Sequence, residues 1–209
     1  MPVLESNQYA IALHTSTPRL GIAVNNYGGD SRSQTWDLGR DLASKLHQHL
    51  AAILLPQTWQ DLAFVAVAKG PGGFTGTRVG VVTARTIAQQ LNIPLFGISN
   101  LAAVAAAQNP QDDRLLAVQM DARREQLFVG IYQQSDQGLK TYLPDSLMTQ
   151  EAWQQTLADL PSSHELITAD EQIATSVTNV LDLAYGDWQQ GKQLHWSEIL
   201  PYYGQHPVN

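Results

Sequence analysis

The sequence contains no cysteine, which excludes disulfides and thiolate metal sites and fits a reducing, cytoplasmic setting. It also lacks a long hydrophobic run. The longest, "LAFVAVA" and "LAAVAAA", span seven residues each, whereas a bilayer-crossing helix needs roughly 20, so a soluble protein with no membrane role is expected. The opening "MPVLESNQYA" places no basic cluster ahead of an apolar stretch, so no secretory signal is expected. Basic charge is almost missing from one end. Residues 151–209 hold eight acidic side chains and one cation, Lys192, while residues 1–150 hold eleven of each sign. The whole net charge of −7 therefore sits in the C-terminal part. That part would repel a phosphate backbone, and it reads equally as an ordinary solvated surface. Five tryptophans are scattered without interleaved basic residues, so they form no nucleic-acid stacking platform.

What is present is a chain of 209 residues that is 44% hydrophobic, enough for one large domain or two small lobes with a packed core. "YAIALHT" and "RLGIAVNN" read as strands joined by the turn "STPR", with "DSRSQTW" a weaker third. Leu38, Leu42, Leu46, Leu50 and Ile53 then recur at helical steps over "TWDLGRDLASKLHQHLAAILLP", with Thr35 the expected N-cap and Pro56 the stop. "DLAFVAVAKG" reads as a buried strand. A helix follows over 76–91, then the strand "LFGIS" and the helix "NLAAVAAAQ". The order β-β-β-α-β-α-β-α predicts an α/β lobe with a partly parallel sheet over 1–110. Beyond the polar boundary "QNPQDD", a smaller and less regular lobe is expected over 111–209. It has two strands around the hairpin-like "DARRE", further strands at "GLKTYLPDSLMT" and "HELIT", and helical pattern over 171–184. No internal repeat stands out.

The stretch "KGPGGFTGTRVG", Lys69 to Gly80, is the most unusual. Gly70 is not followed by the spacing of a phosphate loop, which needs a lysine and a hydroxyl directly after its second glycine. The dinucleotide fingerprint also fails, because Thr75 stands where its last glycine belongs. Two readings of Gly70, Gly72 and Gly73 remain. One is a backbone-only anion contact at a helix start, the other a tight strand-to-helix turn. Behind the turn, Gly76, Gly80, Thr83, Ala84 and Ile87 form a smooth helix face. Two glycines inside a helix cost about 1 kcal/mol each relative to alanine, so another backbone is expected close by, in the same chain or on a partner.

Complete catalytic chemistry is absent from the pattern. His47 and His49 are two apart and do not share a helix face, so they make a poor metal pair. Ser16 lies in no nucleophile elbow. His14 ends the first strand, where it could reach a cleft or simply pack. Asp121, Arg123, Arg124 and Glu125 read as a charged binding edge or as a solvated hairpin. No carboxylate pair has a spacing that specifies acid–base catalysis. No catalytic residue and no metal ligand is assigned.

Three segments, "IALHTSTPRLGIAV", "VAKGPGGFTGTRVGVVTARTIAQQLNIPLFGISNLAAVA" and "VQMDARREQLFVGIY", together resemble the TsaB family. The resemblance covers about 9–132, is weak over 133–195, and returns at "LPYYGQHPV". It implies an actin-like, sugar-kinase-like (ribonuclease H-like) two-lobed fold. The implied role is that of a non-catalytic scaffold subunit in forming threonylcarbamoyladenosine in tRNA, docking on and activating the catalytic subunit TsaD, with the ATPase TsaE joining a ternary complex. Contact with tRNA would be indirect. Homodimers through similar surfaces are implied as well. The TsaD contact is expected on the first two helices, at Leu42, Leu46, His49, Gly76, Gly80, Thr83, Ala84 and Ile87. Gly70, Gly72 and Gly73 would be a vestigial nucleotide turn, with no cofactor required and at most weak ATP or ADP binding. The sequence departs from the family where most members end the first strand in aspartate and this chain has His14. It departs again where an arginine commonly follows the C-terminal tyrosine and Gly204 stands nearby. A final helix of longer relatives is expected to be absent. The alternative, an autonomous actin-like ATPase or kinase, needs an acidic residue at position 14. A peptidase finds neither a nucleophile–base pair nor a histidine metal motif.

Overall fold

The computed structural model describes residues 3–108, 110, 112–122, 124–135, 138–192 and 195–204. The elements run β1 (Tyr9–His14), β2 (Arg19–Asn25), β3 (Ser31–Asp37), α1 (Leu42–Leu54), β4 (Leu62–Ala68), α2 (Phe74–Leu91), β5 (Leu95–Ile98) and α3 (Asn100–Ala106). They continue with β6 (Leu115–Asp121), β7 (Gln126–Ser135), β8 (Gly138–Thr149), α4 (Gln150–Ala158), β9 (His164–Thr168) and α5 (Val177–Gln189). The first eight follow the order expected from the sequence.

Two sheets result. The first has the strand order β3-β2-β1-β4-β5 and the second β8-β7-β6-β9. In both, an antiparallel meander is followed by a helical crossover to a strand lying parallel beside the first one. The architecture is thus used twice, although the sequence shows no repeat.

Every side chain of β1 is buried, as a central strand covered on both faces requires. Tyr9, Ile11 and Leu13 point to one side, where Leu42, Leu46, Leu50 and Leu54 of α1 and Val81, Ala84 and Ala88 of α2 cover them. Ala10 and Ala12 point to the other and pack with Phe64, Phe96 and α5, through Val177, Val180, Leu181 and Ala184. Small residues on this second face let α5 lie close. At Gly21 of β2 a Cβ would overlap the Ala174 carbonyl. The helix that completes the first sheet therefore comes from the far end of the chain, and Ile199 joins the same sheet's other core. The sequence boundary near 110 separates the strands of the two sheets but not their coverings. Within that boundary, residues 109 and 111 lie outside the described residues.

The second sheet is filled from both sides too. Leu116, Val118, Phe128 and Tyr132 pack on Leu101, Val104 and Ala105 of α3, while Leu115, Ala117, Val129 and Ile131 enclose Trp153 of α4. The indole N–H of Trp153 donates to Gln119 Oε1 at 2.8 Å. Helix α3 is the wedge between the sheets, with Ala103 in the first lobe's core and Leu101 in the second's.

Two local expectations are corrected. Thr35 is not a helix N-cap: it pairs with Gly21, and Trp36 with Leu20, within β3. Strand pairing takes this segment, Gly39 breaks the chain with a positive φ of 52°, and α1 starts at Leu42 with Asp41 at its N-cap. Helix α2 begins at Phe74, two residues before the expected Gly76.

The glycines of α2 fit against the chain's own β1–β2 connection. A Cβ on Gly76 would overlap the backbone carbonyl of Thr15, and one on Gly80 would overlap Thr15 Oγ1. Thr15 Oγ1 in turn donates to the Gly76 carbonyl at 2.8 Å. Because the obstacle at Gly76 is backbone, Gly76→Ala is expected to lower unfolding free energy by about 2–3 kcal/mol in urea titration. A variant as stable as the wild type would show that α2 does not depend on this contact.

Candidate functional site

The carboxyl ends of β1 and β4 face the second lobe across a cleft of about 1430 Å³. Thr15 to Pro18, Gly72 to Gly76, Arg40 and Arg78 line it from the first lobe. Met120, Asp121 and Phe128 line it from the second, with Asp170, Glu171 and Ile173 in the segment leading to α5. Cations stand on one wall and carboxylates on the other. Among the described residues no three His, Asp or Glu side chains gather into a metal-binding group, and no helix is long and apolar enough to cross a membrane.

The glycine turn borders this cleft, and its close approaches are to the chain itself. Gly70 adopts φ +108°, and a Cβ there would overlap the Tyr202 carbonyl. A Cβ on Gly72 would stand 2.7 Å from Ser16 Cβ. The Gly73 amide donates to the Ser16 carbonyl at 2.7 Å. Asn100, fully buried at the start of α3, clamps the turn: its amide N–H donates to Gly70 O (2.9 Å) and its side-chain Nδ2 to Pro71 O (2.7 Å). Of the two readings of these glycines, the tight turn is the one whose contacts are seen.

Residues 199–204 form a strap across the lobes. Ile199 is anchored in the first core. The Tyr202 amide donates to Lys69 O at 2.7 Å and its hydroxyl to Asp145 O at 2.9 Å. The Tyr203 ring lies 4.4 Å from that of Phe74, and Gly204, with φ +64°, abuts Phe128. The "YYG" of the C-terminal segment thus ties both lobes together. Residues 205–209 of that segment lie outside the described residues.

The residues expected to meet a partner are largely occupied within the chain. Leu42, Leu46, Gly80, Thr83 and Ala84 are buried. Gly76 is closed by Thr15, Ile87 packs on the first core, and His49 rests on the Trp36 ring at 4.4 Å. The helical stripe was real, but it faces the sheet, since a periodic apolar face is the face a core takes first. Among the residues that α2 shows to solvent, Phe74, 59% exposed, Arg78, and Val82, 53% exposed, stand in line at steps of four, beside the polar Thr75, Thr86, Gln89 and Gln90.

His14 is fully buried on the α5 side of β1, and neither ring nitrogen has a hydrogen-bond partner among the described residues. Ser16 Oγ and Thr77 Oγ1 are likewise without partners. Burial holds the imidazole neutral, with its pKa pushed down to about 4. The 121–125 turn is a tight hairpin: Arg124 and Glu125 have φ of 51° and 60°, and the Ala122 amide donates to Gln126 O at 3.0 Å. Arg123 lies outside the described residues.

One polar cluster had no signal in the sequence. Asp145 of β8 accepts from Ser99 Oγ, the N-cap of α3, at 2.6 Å and from the Tyr132 hydroxyl of β7. Burial raises the Asp145 pKa, opposed by these two donors. The three residues are separated by 33 and 13 positions, so no local spacing marks them.

The family model described as "TsaD: tRNA N6-adenosine threonylcarbamoyltransferase" matches residues 43–185. The chain is 39% identical over 100 residues to the tRNA threonylcarbamoyladenosine biosynthesis protein TsaB of Bacillus subtilis, across 48% of this chain and 43% of that protein. It is 33% identical over 81 residues to TsaB of Escherichia coli, across 38% and 35%. These matches span less than half the length of either relative. In structure it is similar to YeaZ from Pseudomonas aeruginosa, with a TM-score of 0.77 over 94% of this chain and 100% of that chain at 22% identity. The fold is accordingly the actin-like, ribonuclease H-like one that the resemblance implied.

His14 gives this region a pH signature. Its folded pKa, about 4, lies below the ordinary 6.5, so its contribution to stability is complete above pH 6.5 and is lost as pH falls toward 4. The loss is expected to reach about 3 kcal/mol. Urea titrations between pH 7 and 4 on the wild type and His14→Leu should differ by this slope. Parallel curves would show that His14 takes up its proton in the folded chain as readily as in the unfolded one.

Proposed function

The chain belongs to the TsaD-related family as a TsaB member, and on that premise we propose that it is a non-catalytic accessory subunit in threonylcarbamoyladenosine formation on tRNA. In this reading it docks on TsaD and activates it, TsaE joins as a third component, and tRNA is contacted only through the complex. The observation that carries the reading is the outer face of α2. Phe74, Arg78 and Val82 form a solvent-facing stripe on a helix whose inner face is fixed to β1 by Gly76 and Gly80. Helix α1 beside it presents Ala43, His47 and Ala51 outward. A pair of helices that sets apolar and small residues among polar ones on its outside, braced by a sheet beneath, suits helix-on-helix docking. The surface proposed for TsaD is therefore this outer face, in place of Leu42, Leu46 and the glycine stripe.

An autonomous ATPase is disfavoured by the residue at the end of β1. His14 is neutral and buried, whereas a magnesium–nucleotide complex is held by carboxylate oxygen. Any ATP or ADP binding by the isolated chain would be weak and unnecessary for docking.

Val82→Glu puts a charge on the exposed stripe without touching the core. It should leave the melting temperature of the isolated chain unchanged and weaken binding to purified TsaD by about tenfold or more in calorimetry. Threonylcarbamoylation of tRNA by the reconstituted mixture should fall with it. Leu166→Glu, on an exposed residue of β9, serves as the control and should bind as wild type. Undiminished binding by Val82→Glu would place the docking surface elsewhere, and turnover of ATP by the purified chain alone would sink the accessory reading.

A further inference from the structure

Tyr203 lines the large cleft, and the residue before it, Tyr202, lines a second chamber of about 440 Å³. This volume lies within the range of small-molecule sites. One wall is made at the carboxyl ends of β4 and β5, where Lys69 directly follows β4 and Ser99 directly follows β5. Open α/β sheets gather ligands at this end of their strands. The opposite wall comes from the second lobe, through Tyr132 of β7 and Leu139 and Asp145 of β8, and α5 closes the side with Leu183.

Two charges in this chamber have no ion-pair partner among the described residues. Asp145 takes hydrogen bonds from Ser99 and Tyr132, both neutral donors, and has no cation at ion-pair distance among the described residues. A carboxylate can accept about four hydrogen bonds, so acceptor capacity remains. Lys69 packs its stem against Gly97, where its Cδ would lie 3.2 Å from an added Cβ. Its ammonium makes no hydrogen bond or ion pair among the described residues. Lys69 and Asp145 do feel each other's field, yet they stand too far apart to pair. At the rim, Asp187 and Lys192 are already paired at 2.5 Å, so they do not neutralise the inner two. Holding a half-buried carboxylate and a cation apart costs free energy unless something bridges them. A bridging molecule needs an anionic and a cationic group on a short frame. The apolar surface of Leu139 and Leu183 leaves room for an aliphatic substituent.

We propose that this chamber binds a free neutral α-amino acid, with its carboxylate on Lys69, its ammonium on Asp145 and a small aliphatic side chain against Leu139 and Leu183. The site is independent of the docking reading, because it faces α5 and β8 and not the outer surfaces of α1 and α2. Since Lys69 belongs to the first lobe and Asp145 to the second, the bound molecule ties the lobes in parallel with the strap.

The test titrates L-alanine, L-valine and L-leucine singly into the full chain by calorimetry, with acetate and ethylamine as half-ligands. At least one amino acid should bind saturably with a Kd on the order of 0.01–1 mM, and each half-ligand should bind about tenfold weaker or worse. Lys69→Met should lose about tenfold or more while keeping the unliganded melting temperature. If that variant does not fold, Leu183→Trp, which fills the chamber from α5, takes its place and must abolish binding. The proposal is overturned if no amino acid binds up to about 10 mM, or if acetate binds as tightly as the amino acids, which would mean a simple anion site. It is equally overturned if the substituted chain binds within about twofold of wild type.

Discussion

The structure depends on burying β1 from both sides. A central parallel strand has no solvent face, so each of its two side-chain rows needs its own helical layer. The leucines of α1 supply one and are close in sequence. The other row, Ala10 and Ala12, is covered by α5, whose residues start at Val177. The first sheet is therefore unfinished until the chain has built the second sheet and returned. Much else is a consequence of that return. The segment before α5 forms part of the cleft wall, Gly21 must be glycine to let Ala174 pass, and the strap after α5 is carried to the mouth of the glycine turn.

This also explains which parts were legible in the sequence. The order of the first eight elements was, because each carries its own period and its own stop. The start of α1 was not. Thr35 fits a helix N-cap when read alone, but β2 offers Thr35 and Trp36 a row of partners, and long-range pairing outweighs a local signal. Helix α4 was missed because its buried side is little more than Trp153. The doubling of the sheet topology was invisible since it is a repetition of connections, not of residues.

The burial of most residues expected to meet a partner has a different cause. A stripe of Leu42, Leu46, Ala84 and Gly80 states that something covers that face. It does not state whether the cover is the same chain, and here Thr15 and β1 provide it. Exposed apolar residues are the informative ones for docking, and Phe74 and Val82 have Arg78 between them, so the sequence shows no continuous apolar face there. The Asp145 cluster escaped for a related reason. Ser99, Tyr132, Asp145 and Tyr202 sit on four separate segments, and only the closing of the lobes brings them together.

The glycines then acquire one common meaning. Gly72 makes room for Ser16, Gly70 for Tyr202, and Gly76 and Gly80 for Thr15. All four let the chain's own backbone or short side chains come within reach, and Gly73 donates its amide to the same connection. The turn is packed from behind by the β1–β2 connection and the strap. Packing of this kind removes the freedom of α2 to shift against the sheet. A docking helix held that firmly loses little conformational entropy when it is covered, so more of its contact free energy remains as affinity. In the docking proposed for α2, the glycine-rich stretch would act indirectly, by fixing from beneath the helix whose opposite face carries Phe74 and Val82.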